Sequence, residues 1–268
     1  MTEHFEIGGR PCTVVDLSRR LSNATSEFEP NPHKIDYVSH EEAAQAIGVK
    51  LGGVDLWREE RSGAAEAVEL TTHSGTHIDA PYHYWPTSEG RPARKIDDVP
   101  LRWCIGDGVL LDFSHKEPGD GIDADEVDAA LAAIDHELRP GEIVLVRTDS
   151  SRHFEEPGYH TRQPGLRRSA TELLVEAGVK MIGIDAWGLD RPFDVMVAES
   201  RAGDPDQFWE SHYFGMEREY CQIEQLCNLD QIPAADGFTV IALPVLLADA
   251  SASWSRVVAI VPDPPGAG

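Results

Sequence analysis

Three histidines and one aspartate lie close together in the stretch Thr72–Trp85, which reads THSGTHIDAPYHYW. They are His73, His77, Asp79 and His83, and the chain has eleven histidines in all. Imidazole and carboxylate groups are good ligands for zinc, manganese, iron and cobalt. Three protein ligands leave positions free for water and substrate, as is typical of metal-dependent catalysis. The stretch therefore predicts a catalytic metal site.

Local geometry decides whether these side chains can meet at one ion. Gly75 and Pro81 exclude a regular helix. In an extended strand, His77 and Asp79 point to the same face, about 6.6 Å apart. Without a turn, His73 would lie ~13 Å from His77, too far for a shared ion with bonds of roughly 2 Å, so we expect the chain to turn back at Gly75. A histidine-rich surface turn and core histidines held by hydrogen bonds remain alternatives.

His83 follows the proline that ends this short strand. An imidazole with a pKa near neutrality can take up and return a proton at working pH. We therefore predict that His83 is a catalytic general acid and base. The alternative is a histidine that only orients Asp79. A serine or cysteine nucleophile is not indicated, because G-x-S-x-G is absent and no cysteine has a recognisable catalytic context.

The elements that must position these residues are short. Val- and Ile-rich apolar runs predict strands at Pro11–Leu17, Gly108–Phe113, Glu142–Arg147, Val179–Asp185, Gly237–Leu243 and Val257–Val261. Strand, helix and strand from residue 142 to 185 are typical of an α/β unit. We predict one α/β domain over residues 1–268, with a mixed sheet or two packed sheets and a frayed tail at 263–268.

Two helices have start signals. Asp123 and Glu126 have the spacing of a capping box, as do Ser169 and Glu172, and Gly178 is a suitable residue to end the second helix. The first helix is also predicted by apolar residues at helical period, namely Val127, Leu131, Ile134 and Leu138.

Composition limits the function. The chain has 47 acidic and 23 basic residues, a net charge of -24, and no Lys/Arg-rich block. This excess argues against nucleic-acid and anionic-membrane partners and favours a small neutral or cationic ligand. No apolar run of ~18 residues predicts a transmembrane helix, and the N-terminus lacks a signal-peptide pattern. We therefore expect a cytoplasmic protein, with its four cysteines reduced.

The stretch HSGTHIDAPYH, His73–His83, resembles the HxGTHxDxPxH signature of the metal-dependent cyclase family, which includes bacterial kynurenine formamidases and isatin hydrolases. Further segments resemble other family motifs in chain order, from about Pro11 to Val261. They are VVDLS at Val14–Ser18, VLVRT at Val144–Thr148, GID at Gly183–Asp185 and ALP at Ala242–Pro244.

The resemblance implies further ligands. In the family a histidine and a glutamate twelve residues later complete the metal site, and His212 and Glu224 have this spacing. If the family's ligand roles are carried over to this sequence, His73, His77 and Asp79 would hold one ion. Asp79, as a bridge, would then hold a second ion together with His212 and Glu224. If one ion binds, His212 and Glu224 become orienting or substrate-facing groups. Without the resemblance, His212 would be interpreted as a buried histidine held by hydrogen bonds, and Glu224 as a solvated helix charge.

The family also implies the fold and assembly. We expect a swivelling β/β/α-type domain with zinc or manganese, one or two ions per chain, in a homodimer or homotetramer. Subunit contacts are expected at Met1–Arg10 and around Trp187. For the substrate pocket we predict Trp85, Trp187, Phe193 and Arg147.

The implied activity is hydrolysis of a carbon–nitrogen bond in an aryl formamide or cyclic amide, by a metal-activated water with His83 as proton donor. Three segments differ from compact kynurenine formamidases: Glu59–Ala67 and His153–Gln163 are longer, and Asp185–Phe193 lacks an S-x-D-P-like sequence. Two other functions stay open. One is a metal-dependent cyclase or lactonase for a polyketide-like secondary metabolite, and the other is a non-catalytic metal- or ligand-binding protein.

Overall fold

The computed structural model describes residues 2–263. The predicted tail therefore lies outside the described residues, apart from its first position. The strands are β1 Thr2–Ile7, β2 Arg10–Asp16, β3 Lys34–Val38, β4 Ala65–Glu69, β5 His77–Asp79, β6 Thr87–Ser88, β7 Arg91–Pro92, β8 Ile105–Asp112, β9 Gly121–Ile122, β10 Ile143–Arg147, β11 Gly165–Leu166, β12 Met181–Ile184, β13 Cys221–Glu224, β14 Phe238–Ile241, β15 Ala252–Trp254 and β16 Val258–Pro262.

The α-helices of the described chain are fewer than its strands. They are α1 Asn23–Ser26, α2 His40–Leu51, α3 Pro81–Tyr84, α4 Leu101–Cys104, α5 Ala124–Ala133, α6 Arg168–Glu176, α7 Phe193–Arg201 and α8 Glu210–Phe214. Short 3-10 turns lie at Arg58–Glu60, Ile96–Asp98, Ser150–His153, Tyr159–Thr161, Pro205–Gln207 and Leu229–Gln231. Within the described residues, every helix is too short or too polar to span a bilayer.

The described chain divides into two compact units. The smaller unit, Leu21–Thr71, contains the antiparallel hairpin β3–β4 and the helix α2. A capping box between Ser39 and Glu42 begins α2, and Gly52 ends it in the left-handed conformation, with φ of 89°. The larger unit contains the rest of the described chain, including every residue predicted for the active site. The single domain over residues 1–268 stays a prediction.

The larger unit is built on a mixed sheet. Its ten strands, as found in the described chain, follow the order β1-β2-β16-β14-β8-β10-β12-β13-β5-β15. Neighbours from β8 to β13 are parallel, whereas β5 runs antiparallel to β13 and β15 antiparallel to β5. The carboxyl ends of the parallel strands therefore meet the amino end of β5 at one edge. This architecture confirms the predicted α/β class with a mixed-sheet core.

The core lies on both faces of this sheet. In β10, Leu145 packs into the cluster on one face, while Val144 and Val146 pack into the cluster on the other. This alternation follows from the two-residue period of a strand, and burial on both faces is typical of parallel strands. Apolar residues of α5 and α6 belong to the second cluster. The six predicted strands are all present, with ends shifted by up to three residues.

Of the two predicted helix starts, one is present and the other is not. The capping box of Asp123 and Glu126 is present, although α5 ends at Ala133, before the predicted Leu138, because Asp135 turns into the left-handed conformation. The second capping box was wrong. Ser169 lies inside α6, and its hydroxyl accepts a hydrogen bond from the Ala124 N–H at the start of α5. Gly178, with φ of 98°, follows the end of α6 as expected.

A buried ion pair outside the predicted active site gives a pH-dependent stability. His136 Nε2 lies 3.1 Å from a Glu142 oxygen, and His136 Nδ1 lies 3.1 Å from an Asp236 oxygen. Burial lowers the pKa of His136, but these two hydrogen bonds outweigh burial and raise it above 6.5. Burial raises the pKa of Glu142, but hydrogen bonds from Arg139 and His136 outweigh it and lower the pKa below 4.5.

We expect this pair to contribute fully between pH 4.5 and 6.5. The contribution of His136 is present below its ordinary pKa and is lost as pH rises through the raised pKa of the folded state. His136→Gln should therefore lower the free energy of unfolding in urea by about 1–3 kcal/mol near pH 6, with a smaller loss at alkaline pH. Arg139→Gln is the control, because arginine does not titrate in this range. A loss for His136→Gln that is constant with pH would contradict the prediction.

Candidate active site

Strands β5 and β13 place three polar side chains side by side. In their antiparallel register, Glu224 lies opposite His77 and Gln222 opposite Asp79. His77 and Asp79 are two residues apart and therefore share a face of the sheet. His77 Nε2 lies 3.3 Å from Asp79 Oδ1 and 3.5 Å from Glu224 Oε2. All three groups are buried.

The turn before β5 brings His73 back to the same point. Gly75 takes a φ of 65°, a left-handed conformation that glycine adopts without strain. The His77 imidazole Nδ1 bonds the Gly75 carbonyl at 2.7 Å, which holds the turn against the strand. His73 Nδ1 then lies 2.8 Å from Asp79 Oδ1. The predicted turn and the convergence of these residues are confirmed, while their role as metal ligands stays a prediction.

His83 faces the other oxygen of the same aspartate. Pro81 begins α3 at its first position, where the missing N–H has no helical partner to lose. His83 Nε2 lies 3.7 Å from Asp79 Oδ2, and its ring centroid is 4.2 Å from that of His73. Burial is the main cause that lowers the pKa of His83 to about 4, against the attraction of Asp79. The imidazole is therefore neutral at pH 7.

His212 and Glu224 come from separate elements and meet at this site. His212 lies on the short helix α8, and Glu224 ends β13. His212 Nε2 is 4.0 Å from Glu224 Oε1, and its ring centroid is 5.4 Å from that of His83. Both residues are buried, so neither is a solvated surface group. The structure thus gathers all five predicted ligands and His83 around one point.

The site combines negative charge with several imidazoles. Burial disfavours the charged form of Asp79, but His83, His73 and His77 reverse this effect and hold its pKa well below the usual value. Burial lowers the pKa of His77, but Asp79 outweighs burial and raises it to about 9. Burial, together with the charge of Asp79, raises the pKa of Glu224 to about 7. Two carboxylates in one buried site favour a bound cation.

The donor atoms fit a divalent metal ion. Among the described residues, two groups have ligand atoms within 4.8 Å of one another, and Asp79 belongs to both. One group adds His73 and His83, and the other adds His77 and Glu224. No described residue makes a hydrogen bond of normal geometry to His77 Nε2 or to either Asp79 carboxylate oxygen. Buried polar atoms without such bonds are costly, and a cation would satisfy all three.

The aromatic residues predicted for the substrate pocket take part in two separate ring contacts. The Trp187 and Phe193 rings contact each other at 6.0 Å between centroids, and the exposed Trp85 ring contacts Tyr213 at 6.3 Å. Among the described residues, none of these three rings makes a ring–ring contact with a predicted histidine ligand. Their substrate roles stay predictions.

Arg147 is engaged in ion pairs at the end of β10. Its guanidinium bonds both oxygens of Asp149, at 2.8 and 3.2 Å, and one oxygen of Asp112 at 3.1 Å. The side chain is therefore held by two carboxylates, two strands away from β13. Its substrate role also stays a prediction.

Trp209 is a site residue that sequence reasoning missed. Its ring stacks on the His212 imidazole, with centroids 4.3 Å apart and planes 12° apart, and lies 5.8 Å from the His83 ring. Trp209 precedes α8 and takes a φ of 54°, which is uncommon for a large residue. Only its place three residues before His212 could have indicated it. Rings at centroid spacings of 5.4–6.3 Å connect it to Phe193, through Tyr213 and Phe208.

Comparison with known proteins identifies the family. Residues 15–191 match the model of the Cyclase family, described as "Putative cyclase". The chain belongs to the cyclase family. The match contains His73, His77, Asp79 and His83 and ends before His212. This chain of the cyclase family is 29% identical to the kynurenine formamidase of Bacillus anthracis over 205 residues, 76% of this chain and 84% of the relative.

Isatin hydrolases are also similar to this cyclase-family chain. That of Roseibium aggregatum is 29% identical over 206 residues, 72% of this chain and 73% of the relative. The solved structure of isatin hydrolase A from Ralstonia solanacearum has a TM-score of 0.71 and 26% sequence identity, covering 92% of this chain and 91% of the other. This likeness confirms the fold that the sequence signature implied.

Proposed function

We propose that this protein is a metal-dependent hydrolase that cleaves the carbon–nitrogen bond of an aryl formamide or a cyclic amide. The observation that carries the proposal is the buried Asp79 carboxylate, which lies among His73, His77 and His83 without a hydrogen bond of normal geometry. Similarity to a kynurenine formamidase and to isatin hydrolases supports the reaction class.

The ligands and the proton donor have separate tasks in this proposal. His73, His77 and Asp79 would hold one ion, and Asp79 with His212 and Glu224 would hold a second where two bind. A divalent ion would lower the pKa of a ligated water and polarise the substrate carbonyl. Imidazole and carboxylate donors suit zinc or manganese, which are the metals we propose.

His83 performs proton transfer. Its Nε2 atom lies 3.7 Å from Asp79 Oδ2, and its side chain is partly exposed, which places an imidazole next to the proposed ligands and within reach of solvent. A neutral imidazole takes a proton from the attacking water and gives it to the nitrogen that leaves. No serine or cysteine nucleophile is required.

The aromatic rings beside the ligands favour an aryl substrate. The Trp209 indole ring lies beside the His212 and His83 imidazoles, and a series of rings leads from it towards Phe193. Offset stacking on such rings contributes about 0.5–1.5 kcal/mol per pair beyond the burial of apolar surface. Trp85 and Trp187 extend this surface in our proposal.

We further propose a cytoplasmic homodimer or homotetramer. The edge strand β1 supports an assembly, since its side chains are exposed and include the large apolar residues Phe5 and Ile7. Edge strands with exposed apolar side chains are ready to pair with another chain. Sedimentation of the purified protein measures the oligomer size.

A substrate panel monitored by mass spectrometry tests the reaction. We expect the zinc- or manganese-loaded protein to add one water to an aryl formamide or a cyclic aryl amide such as isatin. We expect the rate to fall to background after chelation and to return when the metal is restored. Loss of water from an open-chain substrate would indicate the cyclase alternative, and water addition to a lactone alone would indicate a lactonase. Tight binding without turnover would indicate a binding protein.

A further inference from the structure

Asp190 is a buried carboxylate in direct contact with His212. Its side chain is buried, and Asp190 Oδ2 lies 2.5 Å from His212 Nδ1. The same carboxylate accepts hydrogen bonds from the backbone N–H groups of Ser211, at 2.7 Å, and His212, at 3.2 Å. The start of α8 is thus bound to Asp190 through both main chain and side chain.

The segment Trp187–Arg191 that carries Asp190 is itself held in place. The buried Gln163 amide accepts a hydrogen bond from the Trp187 N–H and donates to the carbonyls of Gly188 and Asp190. The neighbouring Gly165 permits the close approach, because a Cβ atom there would lie 2.2 Å from the Asp190 carbonyl carbon. The position of the Asp190 carboxylate is therefore fixed by several independent contacts.

The same segment also holds the second carboxylate of the site. The Leu189 N–H donates to Glu224 Oε1 at 3.0 Å. Glu224 Oε1 is the oxygen that lies 4.0 Å from His212 Nε2. This one segment therefore contacts two of the three groups proposed for the second ion, His212 through the Asp190 side chain and Glu224 through the Leu189 backbone.

We propose that Asp190 is a positioning residue that fixes the tautomer of His212. Both Asp190 oxygens accept hydrogen bonds from backbone N–H groups, so the carboxylate faces His212 Nδ1 as an acceptor and that nitrogen carries the proton. The lone pair of a neutral ring then lies on Nε2, which points towards Glu224. A metal needs that lone pair, and partners of this kind orient histidine ligands. The inference rests on the proposed function, because it assumes that His212 binds a metal.

The replacement Asp190→Asn tests this role with little change in shape. When its Oδ1 accepts the Ser211 N–H, its NH2 group faces His212 Nδ1 and favours a proton on Nε2 instead. In metal-free protein at alkaline pH, nitrogen-15 NMR of His212 should show the Nδ1–H tautomer in wild type and a shift towards Nε2–H in the variant. Zinc titration should show an affinity about 10- to 100-fold lower at one site.

Asp185→Asn is the matched control. Asp185 is a buried carboxylate just before the same segment, but it accepts from the Thr148 and Asp149 N–H groups and touches no histidine of the site. We expect Asp185→Asn to keep the wild-type tautomer and zinc affinity. Equal weakening in both variants would overturn a specific role for Asp190. Finding the Nε2–H tautomer of His212 in the wild-type protein would by itself overturn the role proposed for Asp190.

These measurements need no substrate. A protein that binds zinc through His212 but hydrolyses no amide would contradict the proposed function and leave the role of Asp190 intact. Conversely, an active enzyme whose Asp190→Asn variant keeps wild-type zinc binding and tautomer would overturn the role of Asp190 alone.

Discussion

Asp79→Asn should lower kcat/KM for the aryl formamide or cyclic amide by about 10³-fold or more. Asp79 belongs to both possible ligand groups, and three histidines surround its carboxylate. An amide in its place keeps the volume but removes the negative charge that offsets the charge of a cation. The variant should therefore bind less metal per chain, which elemental analysis of protein purified without chelator measures.

The control for Asp79→Asn is Asp107→Asn. Asp107 is an exposed carboxylate on β8, and its replacement should leave metal content, activity and stability unchanged within about 0.5 kcal/mol. Full metal content together with full activity in Asp79→Asn would contradict the proposed ligand set. Full metal content with lost activity would instead assign Asp79 to substrate or proton handling, so the two measurements must be made on the same preparation.

The sequence predicted best what depends on neighbouring residues. The turn at Gly75 and the strand with His77 and Asp79 are both present, because turn geometry and side-chain alternation are local properties. The Ser169 capping box failed for the opposite reason. The Ser169 hydroxyl found a partner at Ala124, which is distant in sequence, and such competition leaves no local signal.

The presence of His212 and Glu224 at the site could not be derived from the spacing of residues in the sequence alone. His212 and Glu224 were identified by resemblance, and their meeting with Asp79 depends on the pairing of β13 with β5 across more than 140 residues of sequence. Trp209 and Asp190 were not predicted as site residues. Their contacts with His212 depend on a left-handed residue and on a segment held by distant hydrogen bonds, and neither feature has a periodic sequence pattern.

His83→Ala should separate proton transfer from metal binding. We expect kcat to fall by about 10²- to 10⁴-fold, the usual contribution of a general acid or base. KM should change little, and metal content should equal that of wild type, because His73, His77 and Asp79 remain. Steady-state kinetics and elemental analysis measure these quantities.

The metal content of His83→Ala decides between two roles that the geometry permits. His83 Nε2 lies 3.7 Å from Asp79, and His83 forms a possible ligand group with Asp79 and His73. If the variant loses metal, His83 is a ligand and the proton donor must be sought elsewhere. If metal and turnover both stay at the wild-type level, His83 has neither role. His153→Ala, at an exposed histidine paired with Glu156, controls for the loss of an imidazole and should leave both quantities unchanged.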